Sequence, residues 1–135
     1  MTTLQAAIAL AAIWLAVTAL LLGLRGTLVM LGKRKADQFL PDSSDQSPII
    51  QRITRTHANN YENIPAMLAV LLTMMVMNVS LDPMWMTVLV AGRVLQNLIH
   101  IIHVNHWTVQ LRFAFFAAQL GVIGLGLVEL AALAF

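Results

Sequence analysis

The sequence contains no cysteine, and this absence removes several kinds of chemistry at once. The chain has no disulfide framework, no thiol nucleophile of its own and no cysteine-based metal site. Any thiol chemistry must therefore come from a bound ligand.

Charge is the second feature that the sequence has little of. Only 10% of the 135 residues are charged, whereas soluble globular proteins carry roughly 25%. Hydrophobic residues make up 59% of the chain, so the composition predicts a membrane protein, and the length fits a single domain over residues 1–135. The few basic residues are embedded in apolar sequence, so we expect no nucleic acid partner.

The apolar segments predict an all-α integral membrane four-helix bundle, with spans over about residues 4–32, 48–77, 83–103 and 107–134. A secretory signal peptide is the alternative interpretation of the first segment. No Lys or Arg precedes that segment, however, and it is too long for the apolar region of a signal peptide. Ser47-Pro48 and Asp82-Pro83 each place an N-cap residue before a proline, which predicts the start of the second and third helices.

The connections between the spans predict their orientation. Six of the eight basic residues lie at the ends shared by the first and third connections: Lys33, Arg34, Lys35, Arg52, Arg55 and Arg112. The turn at residues 78–82 carries no Lys or Arg. The positive-inside rule therefore predicts cytoplasmic first and third connections, with both termini outside.

The stretch from Arg52 to Pro65 carries polar side chains directly into an apolar helix. Its polar residues recur at spacings of three, four and three: Arg52, Arg55, Asn59 and Glu62. These spacings place them on one face of a helix. An aligned polar face that enters a membrane predicts a polar target, and the alternative is a structural polar seam between helices.

The third span repeats this spacing. Its polar residues are Arg93, Gln96, His100 and His103. Arg93 and Glu62 fall at similar depth, where a lone charge costs ~2.5–3.5 kcal/mol. We therefore predict an Arg93–Glu62 contact, direct or through water.

Two further features leave alternatives open. Arg112, in the first turns of the fourth span, has no acidic neighbour in sequence, so it either snorkels to lipid headgroups or faces a ligand. His100, His103 and His106 step by threes, which is compatible with a metal site. We predict neutral, hydrogen-bonded histidines and no metal, because the helix is expected to end before His106.

The arginine-rich pocket defined by these residues suits a small zwitterionic ligand with carboxylates. Arginine binds carboxylates bidentately, and Glu62 is placed to hold an ammonium group. An apolar second reactant would arrive from the lipid.

The motif Arg55-x-His57-x-Asn59-x-x-Glu62-x-x-Pro65 resembles the helix-two signature of the family of membrane-associated proteins in eicosanoid and glutathione metabolism, called MAPEG. The resemblance extends along essentially the whole chain through the span lengths, the basic first connection and Gln110-Leu111-Arg112. The chain resembles a bacterial-type member similar to microsomal glutathione transferase. The family implies a four-helix bundle that assembles as a homotrimer and binds glutathione between subunits on the cytoplasmic side.

The resemblance also implies roles for individual residues. Arg112 matches the thiolate-stabilising arginine and is the predicted catalytic residue. The predicted glutathione-binding residues are Arg34 from the adjoining subunit, Arg52, Arg55, Asn59, Glu62, Arg93, His100 and His103. The chain departs from the family where His100 and His103 replace tyrosines, where Ala58 replaces an arginine of some relatives, and where Phe116 replaces a tyrosine.

The implied function is that of a membrane-bound glutathione transferase or peroxidase-like enzyme. It would use glutathione against lipophilic electrophiles or lipid hydroperoxides, with membrane lipid and a small lipophilic substrate as partners. The expected location is the bacterial inner membrane, with the site toward the cytoplasm. A non-enzymatic lipid-binding or scaffold member of the family is the alternative. A small multidrug-type transporter is a third possibility, but it would usually centre on a glutamate in the first span, which has no acidic residue here.

Overall fold

The computed structural model describes residues 1–134 as four helices joined by short connections. Helix α1 spans Thr3–Met30, α2 spans Pro48–Val76, α3 spans Pro83–Ile102 and α4 spans His106–Ala134, and a short 3₁₀ helix covers Ala36–Gln38. The predicted all-α class with four helices is confirmed. By length and composition, α1, α3 and α4 are apolar enough to cross a membrane. Helix α2 is long enough, but its first half carries the polar face described above.

The ends of the helices follow local sequence signals. A capping box opens α1, because the Thr2 hydroxyl accepts from the Gln5 backbone N–H and the Gln5 side chain accepts from the Thr2 N–H. The Asp82 carboxylate accepts from the Met84 N–H at 2.8 Å and starts α3 as predicted. Ser47 occupies the N-cap position before α2 and Pro48 is the first helical residue, as predicted, but the Ser47 side chain makes no capping hydrogen bond.

The apolar core joins all four helices near the ends of α2 and α4 and the start of α3. Its fully buried side chains include Leu10, Ile64, Leu71, Met86 and Leu89. Gly126 allows α4 to approach α2 closely, since a Cβ atom there would lie 2.7 Å from Met74 Sδ. A smaller apolar cluster of Leu21, Ile50 and Ile53 joins the other ends of α1 and α2.

The buried face of α3 changes from apolar to polar along its length. Met86 and Leu89 belong to the apolar core, whereas the following buried residues are Arg93, Gln96, Asn97 and His100. The site therefore lies in the half of the bundle that contains the start of α2, the end of α3 and the start of α4.

The connection between α1 and α2 is fixed against both helices. Gly32, with φ 65°, closes α1, and the Lys33 N–H donates back to the Leu28 carbonyl. Further along, Arg34 forms an ion pair with Asp45. The buried Ser43 hydroxyl shares a hydrogen bond of 2.8 Å with the Thr54 hydroxyl on α2.

Candidate functional site

A polar cavity of about 320 Å³ opens where α2, α3 and α4 meet. It collects six of the residues predicted for the site: Arg52, Arg55, Asn59, Glu62, His100 and Arg112. Ala58 and Val104 complete the lining. The spacing along α2 explains four of these positions, because residues three and four apart share a helix face.

The cavity carries more positive than negative charge. Three guanidinium groups and one carboxylate, that of Glu62, line it. Within residues 1–134 the one ion pair joins Arg34 to Asp45, so the cavity arginines have no carboxylate partner in the chain. Arg52 is held in place, since its Nε donates to the Ile101 carbonyl at the end of α3 at 2.8 Å. Arg55 and Glu62 are exposed, which leaves both available to a ligand.

A second, smaller cavity of about 230 Å³ adjoins the first. Val109, Phe113 and Phe116 supply its apolar side, and Gln96 supplies a polar one. Asn59 and Arg112 line both cavities. The Arg112 side chain therefore lies between a charged compartment and one with an aromatic wall.

Arg93 lies outside both cavities, in the interior between α2 and α3. Its side chain is fully buried. One nitrogen, Nη1, donates to Asn59 Oδ1 at 2.9 Å and to Asn60 Oδ1 at 3.5 Å, while Nη2 contacts Met67 Sδ at 3.4 Å. The predicted direct contact with Glu62 is wrong, because Glu62 is on the exposed side of α2 and neutral amides receive the guanidinium instead.

A chain of amides continues from Asn59 into α4. Gln96 Nε2 donates to Asn59 Oδ1 at 3.4 Å, and Gln119 Nε2 donates to Gln96 Oε1 at 2.9 Å. An arginine can only donate, so the Asn59 atom that faces Arg93 must be its oxygen. The Asn59 Nδ2 group is consequently free to donate to a ligand. Gly92 makes room for this chain, since a Cβ there would lie 3.3 Å from Gln119 Cγ.

Three predicted site residues do not line the polar cavity. Arg93 lies in the interior and contacts the cavity residue Asn59 from there. His103 is the exposed residue that ends α3. Arg34 is engaged in its own chain, where Nη2 donates to the Asp45 backbone oxygen at 2.8 Å in addition to the ion pair.

The histidines do not assemble into a metal site in the part of the chain that the structure describes. No group of three histidine or acidic side chains comes together within residues 1–134. As predicted, α3 ends before His106, which instead begins α4 and packs edge-on against the Trp107 ring. His100 is the one histidine that is buried against the polar cavity.

Sequence reasoning missed two members of this region, Asn60 and Gln119. Both are fully buried. The available signal for Gln119 was its isolation, because it is a single amide inside an apolar stretch of α4. A buried amide in such a helix needs a partner on a neighbouring helix.

These features define a helical membrane-type protein with an arginine-lined cavity next to an apolar one. The family model described as the MAPEG family matches residues 3–132, nearly the whole chain, and the chain belongs to this family. The resemblance seen in the helix-two motif is thereby confirmed. Neither a curated protein nor a solved structure matches the chain significantly. Family membership connects the chain with glutathione-related or eicosanoid metabolism.

Proposed function

We propose that this protein is a membrane-bound glutathione transferase or peroxidase-like enzyme. The observation that carries the proposal is the position of Arg112, whose side chain lines both the polar cavity and the apolar one. A charged nucleophile and an apolar electrophile can meet beside such a residue, each in a compartment that suits it.

The donors and acceptors of the polar cavity fit the charges of glutathione. The tripeptide has two carboxylates, one ammonium group and one thiol. Arg52 and Arg55 would bind the two carboxylates, since a guanidinium group binds a carboxylate through two hydrogen bonds. Glu62 is the one acid in the lining and would bind the ammonium group. Asn59 adds a neutral donor through its Nδ2 group.

Arg112 is the catalytic residue in this proposal. A free thiol has a pKa of about 8.5, so only a few per cent is ionised at neutral pH. A guanidinium beside the sulfur stabilises the thiolate electrostatically in a poorly hydrated cavity. A fall in the thiol pKa from about 8.5 to about 6.5 corresponds to ~2.7 kcal/mol. When bound, glutathione supplies the sulfur nucleophile for lipophilic electrophiles or lipid hydroperoxides.

We also propose a homotrimer in which Arg34 reaches the cavity of the adjoining subunit. The exposure of Arg55 and Glu62 supports this arrangement, because the cavity opens at the side of the single chain. In that assembly Arg34 exchanges its Asp45 partner for a carboxylate of the ligand. The basic connections favour a cytoplasmic site with both termini outside, in the bacterial inner membrane.

Thermal unfolding in detergent with and without glutathione, followed by conjugation of chlorodinitrobenzene, tests the proposal. Stabilisation together with turnover is the expected result. Stabilisation without turnover would identify the non-enzymatic member of the family, and the absence of both would overturn glutathione as the ligand.

A further inference from the structure

A third cavity, of about 520 Å³, lies at the end of α1, whereas no residue of α1 lines the site described above. It is bounded by the last turns of α1 and by the connection that follows: Leu22, Arg25, Gly26, Val29, Met30, Ala36 and Phe39. None of these residues lines either cavity of the proposed active site. Arg25 is the only polar side chain in the lining, so the cavity combines one cation with an apolar wall.

The Arg25 guanidinium is fixed in place by the connection. Its Nη2 donates to the Ser43 hydroxyl at 2.8 Å and to the Leu40 carbonyl at 3.3 Å. The guanidinium carbon lies 5.5 Å from the centre of the Phe39 ring. Ser43 is itself fully buried and hydrogen-bonded to Thr54 of α2, so Arg25 cannot simply extend toward water as a snorkelling arginine does.

No acidic side chain among residues 1–134 pairs with Arg25. In the part of the chain that the structure describes, the single ion pair uses Arg34 and Asp45 and leaves Arg25 without a carboxylate. Its Nε is also buried and has no hydrogen-bond partner. The charges of the connection itself balance, because three basic residues stand against three acids: Lys33, Arg34 and Lys35 against Asp37, Asp42 and Asp45. Arg25 therefore adds a positive charge that has no counterpart there. This environment favours an anion.

The apolar wall indicates what kind of anion fits. Helix α1 is long and apolar enough to span a membrane, and the cavity lies at the end of that helix. Leu22 is 71% exposed and Met30 is 90% exposed, so this side of α1 presents apolar surface outward. An anionic group at the level of basic residues, joined to an apolar body, is the chemistry of a membrane phospholipid.

We propose that this cavity binds an anionic glycerophospholipid, with its phosphate on Arg25 and an acyl chain against Leu22, Val29 and Met30. The unpaired charge of Arg25, which is the one charged residue in the lining, favours an anionic headgroup over a zwitterionic one. The proposal does not depend on glutathione, because the cavity shares no residue with the proposed active site. A second copy of the chain is the competing occupant of this surface.

Native mass spectrometry of the protein in nanodiscs with equal amounts of phosphatidylglycerol and phosphatidylcholine tests the proposal. We expect retained phosphatidylglycerol in excess, and we expect Arg25→Gln to lower that preference about fivefold. Lys35→Gln removes the same charge from an exposed residue outside the cavity and should keep most of the preference. Ser43→Ala releases the anchor of Arg25 but keeps its charge, and should reduce the preference less than Arg25→Gln does.

Four results would overturn the proposal. The two lipids could be retained equally, or Lys35→Gln could lower the preference as much as Arg25→Gln. Inorganic phosphate could displace the lipid at low millimolar concentration, which would indicate a free anion rather than a headgroup. Finally, Arg25→Gln could change the number of subunits without changing the retained lipid, which would make this surface a contact between copies. Each measurement is made without glutathione, so failure here is separable from failure of the proposed enzyme activity.

Discussion

One buried arginine and three cavity arginines occupy the same half of the bundle, and their surroundings differ. Arg93 is fully buried and directs its guanidinium to Asn59, Asn60 and Met67, all of them neutral. The arginines of the polar cavity, Arg52, Arg55 and Arg112, face an opening and have no carboxylate partner among residues 1–134. The two terminal nitrogens of Arg93 contact neutral groups inside the chain, although its Nε has no partner, whereas the arginines of the polar cavity are left available to a ligand.

Asn59 connects Arg93 with the polar cavity. Its oxygen receives Arg93 and Gln96 from the interior, and its side chain also lines both cavities. Changes in the interior should therefore affect stability and ligand binding together. Changes in the cavity should affect binding or catalysis alone.

The largest effect is expected for Arg112→Leu. Loss of the group that stabilises the thiolate should lower the conjugation rate by about 100-fold or more. Stabilisation by glutathione should be largely kept, because Arg52, Arg55 and Glu62 remain. Gln110→Leu, at an exposed position in the same helix, serves as the control and should conjugate normally. Unchanged turnover in Arg112→Leu would remove the proposed mechanism.

Arg93→Met should have the largest effect on folding. The change leaves the Asn60 oxygen without a donor and the Asn59 oxygen with only the longer bond from Gln96, so we expect a loss of about 2 kcal/mol in the free energy of unfolding. Leu95→Ala, at an exposed position on α3, is the matched control. Denaturation in detergent measures both variants. Equal losses in the two would show that Arg93 does not hold the interior together.

Glu62→Gln should change ligand binding without changing stability. Glu62 is exposed, so the free energy of unfolding should move by no more than about 0.5 kcal/mol. Loss of the charged partner of the ammonium group should weaken glutathione binding about tenfold. N-acetylglutathione lacks that ammonium and should bind both proteins equally. A tenfold loss for N-acetylglutathione as well would assign Glu62 another role.

Gln119→Leu tests the link between the interior and the cavity, with the smallest expected effect. Gln96 Oε1 loses its donor, so the amide that holds Asn59 is free to turn. We expect glutathione binding to weaken about fivefold and the free energy of unfolding to fall by about 1 kcal/mol. Gln119→Met keeps the length of the side chain but has no hydrogen-bond donor, and it should weaken binding about as much. Normal glutathione affinity in both variants would show that Gln119 serves packing only.

The fold was accessible from sequence because its determinants are local. Apolar length predicts the four helices, and Asp82-Pro83 predicts the start of α3. The polar face of α2 was also accessible, since helical spacing alone places Arg52, Arg55 and Asn59 together.

The partners of Arg93 and Arg25 were not accessible in the same way. Position along a helix gives the depth of Arg93 but not the direction in which its side chain points. The sequence therefore could not show whether the partner of Arg93 is the exposed Glu62 or a buried amide at similar depth. Arg25 depends on the path of a connection that returns Ser43 to α2. That path is set by tertiary contacts and carries no periodic pattern.

The ionisation of bound glutathione tests the central claim most directly. The ultraviolet absorbance of the thiolate is measured against pH for the unaltered protein and for Arg112→Leu, each saturated with glutathione. We expect the thiolate to form well below the ordinary thiol pKa of about 8.5 in the unaltered protein, and near that value in Arg112→Leu. Identical titrations in the two proteins would contradict the role given to Arg112.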